Sequence, residues 1–294
     1  MLYEIILLAQ LQQKRKEIIM KNNIIPAIWF DHNAKEAFEF YSQTFPETEI
    51  EKADDIVVEG SIRGLKFIGI NGGPLFKPNS AISFMHVFET KEELTAVWEK
   101  LSQKGKIMMP LDSYPFSELY AWVEDQYGVS WQLYLGKLAD VNQQKIIPTL
   151  MFCEKQQGRC KEALAFYGEL FPDFESQGVL EYPEGEFKGQ VMHAQFKANG
   201  YTLAAMDSGY PQDFSFTEGV SLTISCKDQE EIDYYWNKIT EKGQESQCGW
   251  CKDQFGLSWQ VVPKQISEIL SNYPQANRAL MGMKKIEIDK LINA

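Results

Sequence analysis

The sequence is short of positive charge, of histidine and of long apolar runs, and each shortage removes a class of function. Its 294 residues carry 29 lysines and arginines against 41 acids, a net charge of −12. So acidic a chain offers no basic face to a phosphate backbone, which argues against nucleic acid as a partner. The same balance argues against adsorption to an anionic membrane surface. No apolar run approaches the roughly 20 residues of a membrane-crossing helix, so no membrane partner is expected. Five cysteines, an odd number without paired spacings, read as reduced thiols in a cytoplasmic protein. The only adjacent glycines, Gly72 and Gly73, run into Pro74 and toward another strand. They do not form the strand, glycine-rich turn and helix that cradle a nucleotide.

What is present is a pattern written twice. AKEAFEFYSQTFP (34–46) and CKEALAFYGELFP (160–172) both place apolar residues at helical spacing: Ala34, Ala37, Phe38, Tyr41 and Phe45, against Cys160, Ala163, Leu164, Tyr167 and Phe171. Each ends at a proline, which cannot continue a helix. Each follows a strand-like run, IIPAIWF or IIPTLMF. Thr90 with Glu93, and Asp228 with Glu231, have capping-box spacing and open a second helix in each half. Gly105 and Gly243 stand where its C-cap is expected. The closing segments, Trp122 to Gln132 and Trp250 to Gln260, agree at seven of eleven positions.

These repeats predict an α+β chain of two tandem domains, 24–138 and 145–263, with a linker near 136–145. Each domain holds two βαβββ units that form a curved mixed sheet around a cavity. The tail, 264–294, is expected to be helical, with RALMGMKKIEIDKLINA as one helix on the second copy. The extension 1–23 has its apolar part before its basic part, the reverse of a secretory signal. It reads as an amphipathic helix docked on the first domain. A second reading starts translation at Met20, with Lys16-Glu17 encoded as a bacterial ribosome-binding sequence.

The patterns NGGPLFKPNSAISF (71–84), DQEEIDYYWNKI (228–239) and QCGWCKDQFGLSWQVVP (247–263) resemble the PhnB-like branch of the vicinal oxygen chelate superfamily. That superfamily includes glyoxalase I, bleomycin-resistance proteins and extradiol dioxygenases. The branch often bears the name 3-demethylubiquinone-9 3-methyltransferase. The resemblance implies a divalent metal held by His, Gln or Glu from particular strands. Carried onto this sequence, those positions fall on Pro26 and Pro148, near Ser83 and Ser221, and on Gln132 and Gln260. A proline has no donor atom and one neutral amide does not hold a cation, so neither a metal nor a cofactor is expected. The three histidines, His32, His86 and His193, are each matched by a non-ligand in the other copy. His193 is the candidate acid or base, facing the second cavity.

Cys248 and Cys251 spell Cys-x-x-Cys, but no helix follows to lower a thiol pKa, so a coincidence is expected rather than a redox centre. Trp122, Trp250, Trp131 and Trp259 recur at equal spacing. Alternation sends Trp259 and Gln260 to opposite faces, which assigns Trp250 and Gln260, with Trp122 and Gln132, to ligand binding. The expected function is metal-independent binding of a small organic molecule, with any surviving site in the second copy. An enzyme of the same superfamily, metal-assisted or using His193, is the alternative, and a methyltransferase ranks last. The tandem copies could serve as an internal dimer, with or without further homo-oligomer formation.

Overall fold

The computed structural model describes residues 24–294; the segment 1–23, including Met20, lies outside them. The chain builds four similar units. The first contains Ile24–Phe30 (β1), Ala34–Thr44 (α1), Glu49–Ala53 (β2), Val57–Ile62 (β3) and Leu65–Asn71 (β4). The second contains Ile82–Phe88 (β5), Lys91–Ser102 (α2), Lys106–Tyr114 (β6), Ser117–Glu124 (β7) and Ser130–Leu135 (β8). The third holds Ile146–Phe152 (β9), Cys160–Leu170 (α3), Glu175–Glu181 (β10), Val191–Ala198 (β11) and Tyr201–Asp207 (β12). The fourth holds Val220–Cys226 (β13), Gln229–Thr240 (α4), Gln244–Glu245 (β14), Trp250–Lys252 (β15) and Ser258–Pro263 (β16).

The units form two eight-stranded mixed sheets, so the expected tandem α+β architecture holds, but the units are shared out differently. Sheet I runs β14-β15-β16-β13-β1-β4-β3-β2, joining the first unit of copy one to the second unit of copy two. Sheet II runs β10-β11-β12-β9-β5-β8-β7-β6 and holds the other two. Neither sheet belongs to one copy. The central seams are antiparallel: β1 meets β13 with Ala27 opposite Ser221, and β5 meets β9 with Ser83 opposite Thr149. The reason lies in the connections. Residues 72–81 carry the chain from sheet I to sheet II, but the short linker 136–145 returns it to the sheet it has just left.

One face of each sheet packs on helices α1–α4, and Phe67 of β4 meets Phe84 of β5 at 5.1 Å between ring centres to make the core continuous. Burial of such large rings is a major stabilising term. The caps of α2 and α4 form as their spacing predicts: Thr90 accepts from the Glu93 amide at 3.3 Å and Asp228 from that of Glu231 at 3.0 Å. Gly105 and Gly243 differ from expectation. The C-caps are Gln103 and Glu241, and the glycines are needed for close approach. A Cβ at Gly105 would collide with the Leu101 carbonyl, and one at Gly243 with that of Lys252.

The tail also departs from expectation. Instead of one helix over 278–294 it forms Ile266–Asn272 (α5), Ala276–Met281 (α6) and Ile288–Ile292 (α7). The break falls at 282–287, where the Met283 and Lys284 carbonyls accept from the Cys248 and Gly249 amides and Ile286 is fully buried. Tertiary pairing there outweighs helix propensity. No helix among the described residues is long and apolar enough to cross a membrane.

Candidate functional site

The face of each sheet turned away from α1–α4, here the inner face, carries the residues of interest. Register assigns them. In sheet I, the inner side of β13 and β16 bears Ser221, Thr223, Ser258 and Gln260, and β1 contributes Ala27 and Trp29. In sheet II the same side bears Ser83, Met85, Ser130, Gln132 and Thr149. Trp131 and Trp259 point the other way and are fully buried. Each donates its indole N–H to a buried aspartate, Trp131 to Asp125 at 2.7 Å and Trp259 to Asp253 at 3.0 Å.

Those aspartates explain much of the repeated segment. Asp125 accepts from the amides of Tyr127 and Val129, from Trp131 and from the Tyr41 hydroxyl of α1. Asp253 does the same with Phe255, Leu257, Trp259 and Tyr167 of α3. Burial pushes both carboxyls up to about 6, against the pull of those donors. Asp-Gln-aromatic-Gly reads in sequence only as a turn, so this role escaped sequence reasoning. The recurrence of Asp beside a Trp six residues on was the available signal.

The two prolines fall on the wrong face for a ligand. Pro26 lies opposite Leu222 and Pro148 opposite Phe84, both packed toward the helices, so the inner-face positions are Ala27 and Thr149. Neither gives a metal what it needs. The amide of Gln260 donates to Ser221 Oγ at 2.9 Å and that of Gln132 to Ser83 Oγ at 2.7 Å, so the would-be ligands are bonded to each other. Among the described residues no three His, Cys, Asp or Glu side chains gather into a metal-sized group. A hydroxyl and a neutral amide do not fit a divalent cation.

The sheets separate residues that the sequence reading joined. Trp250 and Gln260 share sheet I and lie opposite each other, whereas Trp122, Gln132 and His193 belong to sheet II. His193 faces Leu180 across β10–β11, has no hydrogen-bond partner among the described residues, and is held below its ordinary pKa by burial. It therefore stands apart from Gln260. His86 is fully buried against Phe45, Phe88 and Trp131, with neither ring nitrogen bonded. His32 lies on the surface with a positive φ. Cys251 is buried on the helix side of β15, opposite Trp259, and burial raises both its thiol pKa and that of Cys248. Neither is an activated thiolate.

The two inner faces differ in what remains unsatisfied. In sheet II, the Tyr120 hydroxyl donates to Gln132 Oε1 at 2.7 Å, and Trp122 donates to Ser130, which also bonds Ser80. The linker's short turn, Leu138–Val141, covers that face, packing Leu138 and Val141 on Met85, Val87, Ile147 and Ala204. In sheet I, the position of Tyr120 is taken by Cys248, whose thiol turns to the tail carbonyl of Leu280. Gln260 Oε1 and the Trp250 indole N–H are left without a partner among the described residues, and so are the buried hydroxyls of Thr223 and Ser258. Trp29 stands beside Trp250 at 6.1 Å and Phe76 at 5.0 Å, with its N–H fixed on the Gly73 carbonyl. Ile68 and Ile70, half-buried, continue the wall on β4. A separate groove of about 550 Å³ between α4 and the tail, lined by Trp236, Arg278, Lys284 and Lys285, shares no residue with either floor. Its three lysines, Lys284, Lys285 and Lys290, are tied to Glu245, Asp233 and Glu287.

The family model described as 3-demethylubiquinone-9 3-methyltransferase matches residues 22–134 and again 144–262. The chain belongs to this family. A PhnB protein from Bacillus cereus that carries the same methyltransferase name is 35% identical; the match covers 38% of this chain and 98% of that one, with a TM-score of 0.36. Glyoxalase I from Zea mays matches over 84% of this chain and 96% of its own, with a TM-score of 0.53 at 10% identity. That likeness shows the glyoxalase-like fold and nothing of the chemistry. No curated protein matches the sequence. This family member holds the matched unit twice, and each match spans one unit of sheet I and one of sheet II.

Proposed function

We propose that the chain binds a small organic molecule without a metal, on the inner face of sheet I. One observation carries this reading: Gln260 Oε1 and the Trp250 indole N–H, opposite each other on the inner face, have no partner among the described residues, alongside the buried and equally unpaired hydroxyls of Thr223 and Ser258. In sheet II the counterpart of Ser258, Ser130, is bonded twice, and apolar Met85 stands at the place of Thr223. Buried polar groups are nearly always satisfied, so an unpaired set between aromatic walls calls for a partner. The site is composite, because Trp29 and Phe76 come from copy one and Gln260 and Trp250 from copy two. On this reading, one chain supplies both halves that a dimer would otherwise bring together.

The methyltransferase of the family name finds no support in the residues. Gly72 and Gly73 do not cradle a nucleotide; they seat Trp29, whose ring would overlap a Cβ at Gly72. Nothing supports base catalysis by His193 either, since no carboxylate orients it. The test is native mass spectrometry of the gently purified chain. A bound organic molecule should be retained by the wild type and by Gln132→Leu, and lost from Gln260→Leu. Equal retention by both variants would refute the assignment to sheet I.

A further inference from the structure

We infer that the groove between α4 and the tail takes a small molecule bearing a multiply charged oxyanion group, a phosphate or a set of carboxylates. This is a second site, independent of the one on sheet I, with which it shares no residue. One wall is α4 and the other is the tail from Arg278 to Lys290, which lies beyond both family matches, 22–134 and 144–262. Its volume of about 550 Å³ falls within the range of about 300–1,000 Å³ usual for small-molecule sites.

The sign of the occupant follows from what the lining has left to give. The chain carries a net −12, yet this groove is lined by four cations, Arg278, Lys284, Lys285 and Lys290, and by two acids, Glu245 and Glu287. Both acids are spent. Glu245 accepts from Lys284 at 3.1 Å and from the Trp236 indole at 3.4 Å, and Glu287 accepts from Lys290 at 2.6 Å. Lys285 turns to Asp233, just outside the lining, at 2.6 Å. Once Asp233 is counted, one positive charge remains, and it is that of Arg278. Arg63 pairs with Glu93 and Arg159 with Glu162, whereas Arg278 has no hydrogen bond or ion pair among the described residues. The Asn237 side-chain amide is likewise unbonded among them. The unspent groups are therefore mainly donors, and a guanidinium presents its N–H groups in a planar fork that matches phosphate or carboxylate oxygens. The lysines can join it, because exposed ion pairs are weak and exchange partners readily. A cation would have to displace a lysine to reach either acid.

Titration calorimetry of the full chain at low ionic strength, with inorganic pyrophosphate and citrate as probes, tests the idea. At least one of them should bind with a Kd below about 1 mM, and the tighter of the two tells a phosphate from a carboxylate group. Arg278→Gln should weaken that binding about tenfold, the share of one charge-assisted contact. Glu245→Gln should tighten it about threefold, because Lys284 is then released from its carboxylate. Purely structural roles for these side chains would not move affinity in opposite directions. Arg278 has no internal partner, so the unfolding midpoint of Arg278→Gln should match that of the wild type. Gln260→Leu should leave binding of both anions unchanged, so the fate of the sheet I reading is read separately. Failure of both anions to bind by about 5 mM, or binding that ignores Arg278→Gln and Glu245→Gln, overturns the proposal.

Discussion

His86 is a residue whose cost can be measured. It is fully buried among Phe45, Phe88 and Trp131, and neither ring nitrogen has a partner. An unmade hydrogen bond in such a place costs about 1–3 kcal/mol, against about 0.5–1.5 kcal/mol gained from the aromatic contacts. The equivalent residue of the other copy is Ile224, itself fully buried. His86→Ile should therefore stabilise the fold by about 1 kcal/mol in urea unfolding at neutral pH. Burial first, and then the Arg63 guanidinium, hold the His86 pKa well below its ordinary 6.5. As pH falls through that value the unfolded chain takes a proton that the folded chain refuses, so histidine costs stability below it. The advantage of His86→Ile should grow between pH 7.5 and pH 5.5; a constant difference would show that the ring is not the titrating group.

At the scale of the element, the loop 71–80 seats Trp29, one wall of the proposed site. Gly72 permits the Trp29 ring to lie against its backbone, and Gly73 supplies the carbonyl that fixes the indole. Gly72→Ala should push the ring out of place and weaken ligand binding at least as much as losing one wall contact, about tenfold, with little change in unfolding. Trp fluorescence and titration of the bound molecule would show it; unchanged binding would mean that Trp29 is not part of the wall. Periodicity and caps made the helices readable, since Thr90 and Asp228 sit before their stripes in both copies. Alternation likewise put Trp259 and Gln260 on opposite faces. What could not be read was the face of Pro26 and Pro148, because a one-residue offset in a strand inverts every side chain. The tail escaped for a related reason. Its break at 282–287 answers to amides of Cys248 and Gly249, distant in sequence.

At the scale of the molecule, strand order was the largest feature hidden in the sequence. Duplication was plain in Trp122–Gln132 and Trp250–Gln260, but local patterns say nothing of which strand will lie beside β1. The answer, β13, is set by the long-range path of the chain, and it also moved His193 away from Gln260. A fragment spanning 22–143 keeps β4 beside β1 and β8 beside β5 but lacks their seam partners, β13 and β9. Expressed alone, it should pair with a second copy of itself, β5 of one meeting β1 of the other, and sediment as a dimer. A folded monomer would contradict the exchanged arrangement.

Because the seam of each sheet joins different copies, neither copy owns a sheet of its own. Drift in the opening unit of copy one alters the sheet shared with the end of copy two, and drift in its closing unit alters the other. The linker packs on the inner face of sheet II, and the tail packs on that of sheet I, where Val262 meets Ile266 and Ser267 bonds Glu59. The inheritance of the duplicated gene is thus split crosswise, each sheet drawing one unit from each copy.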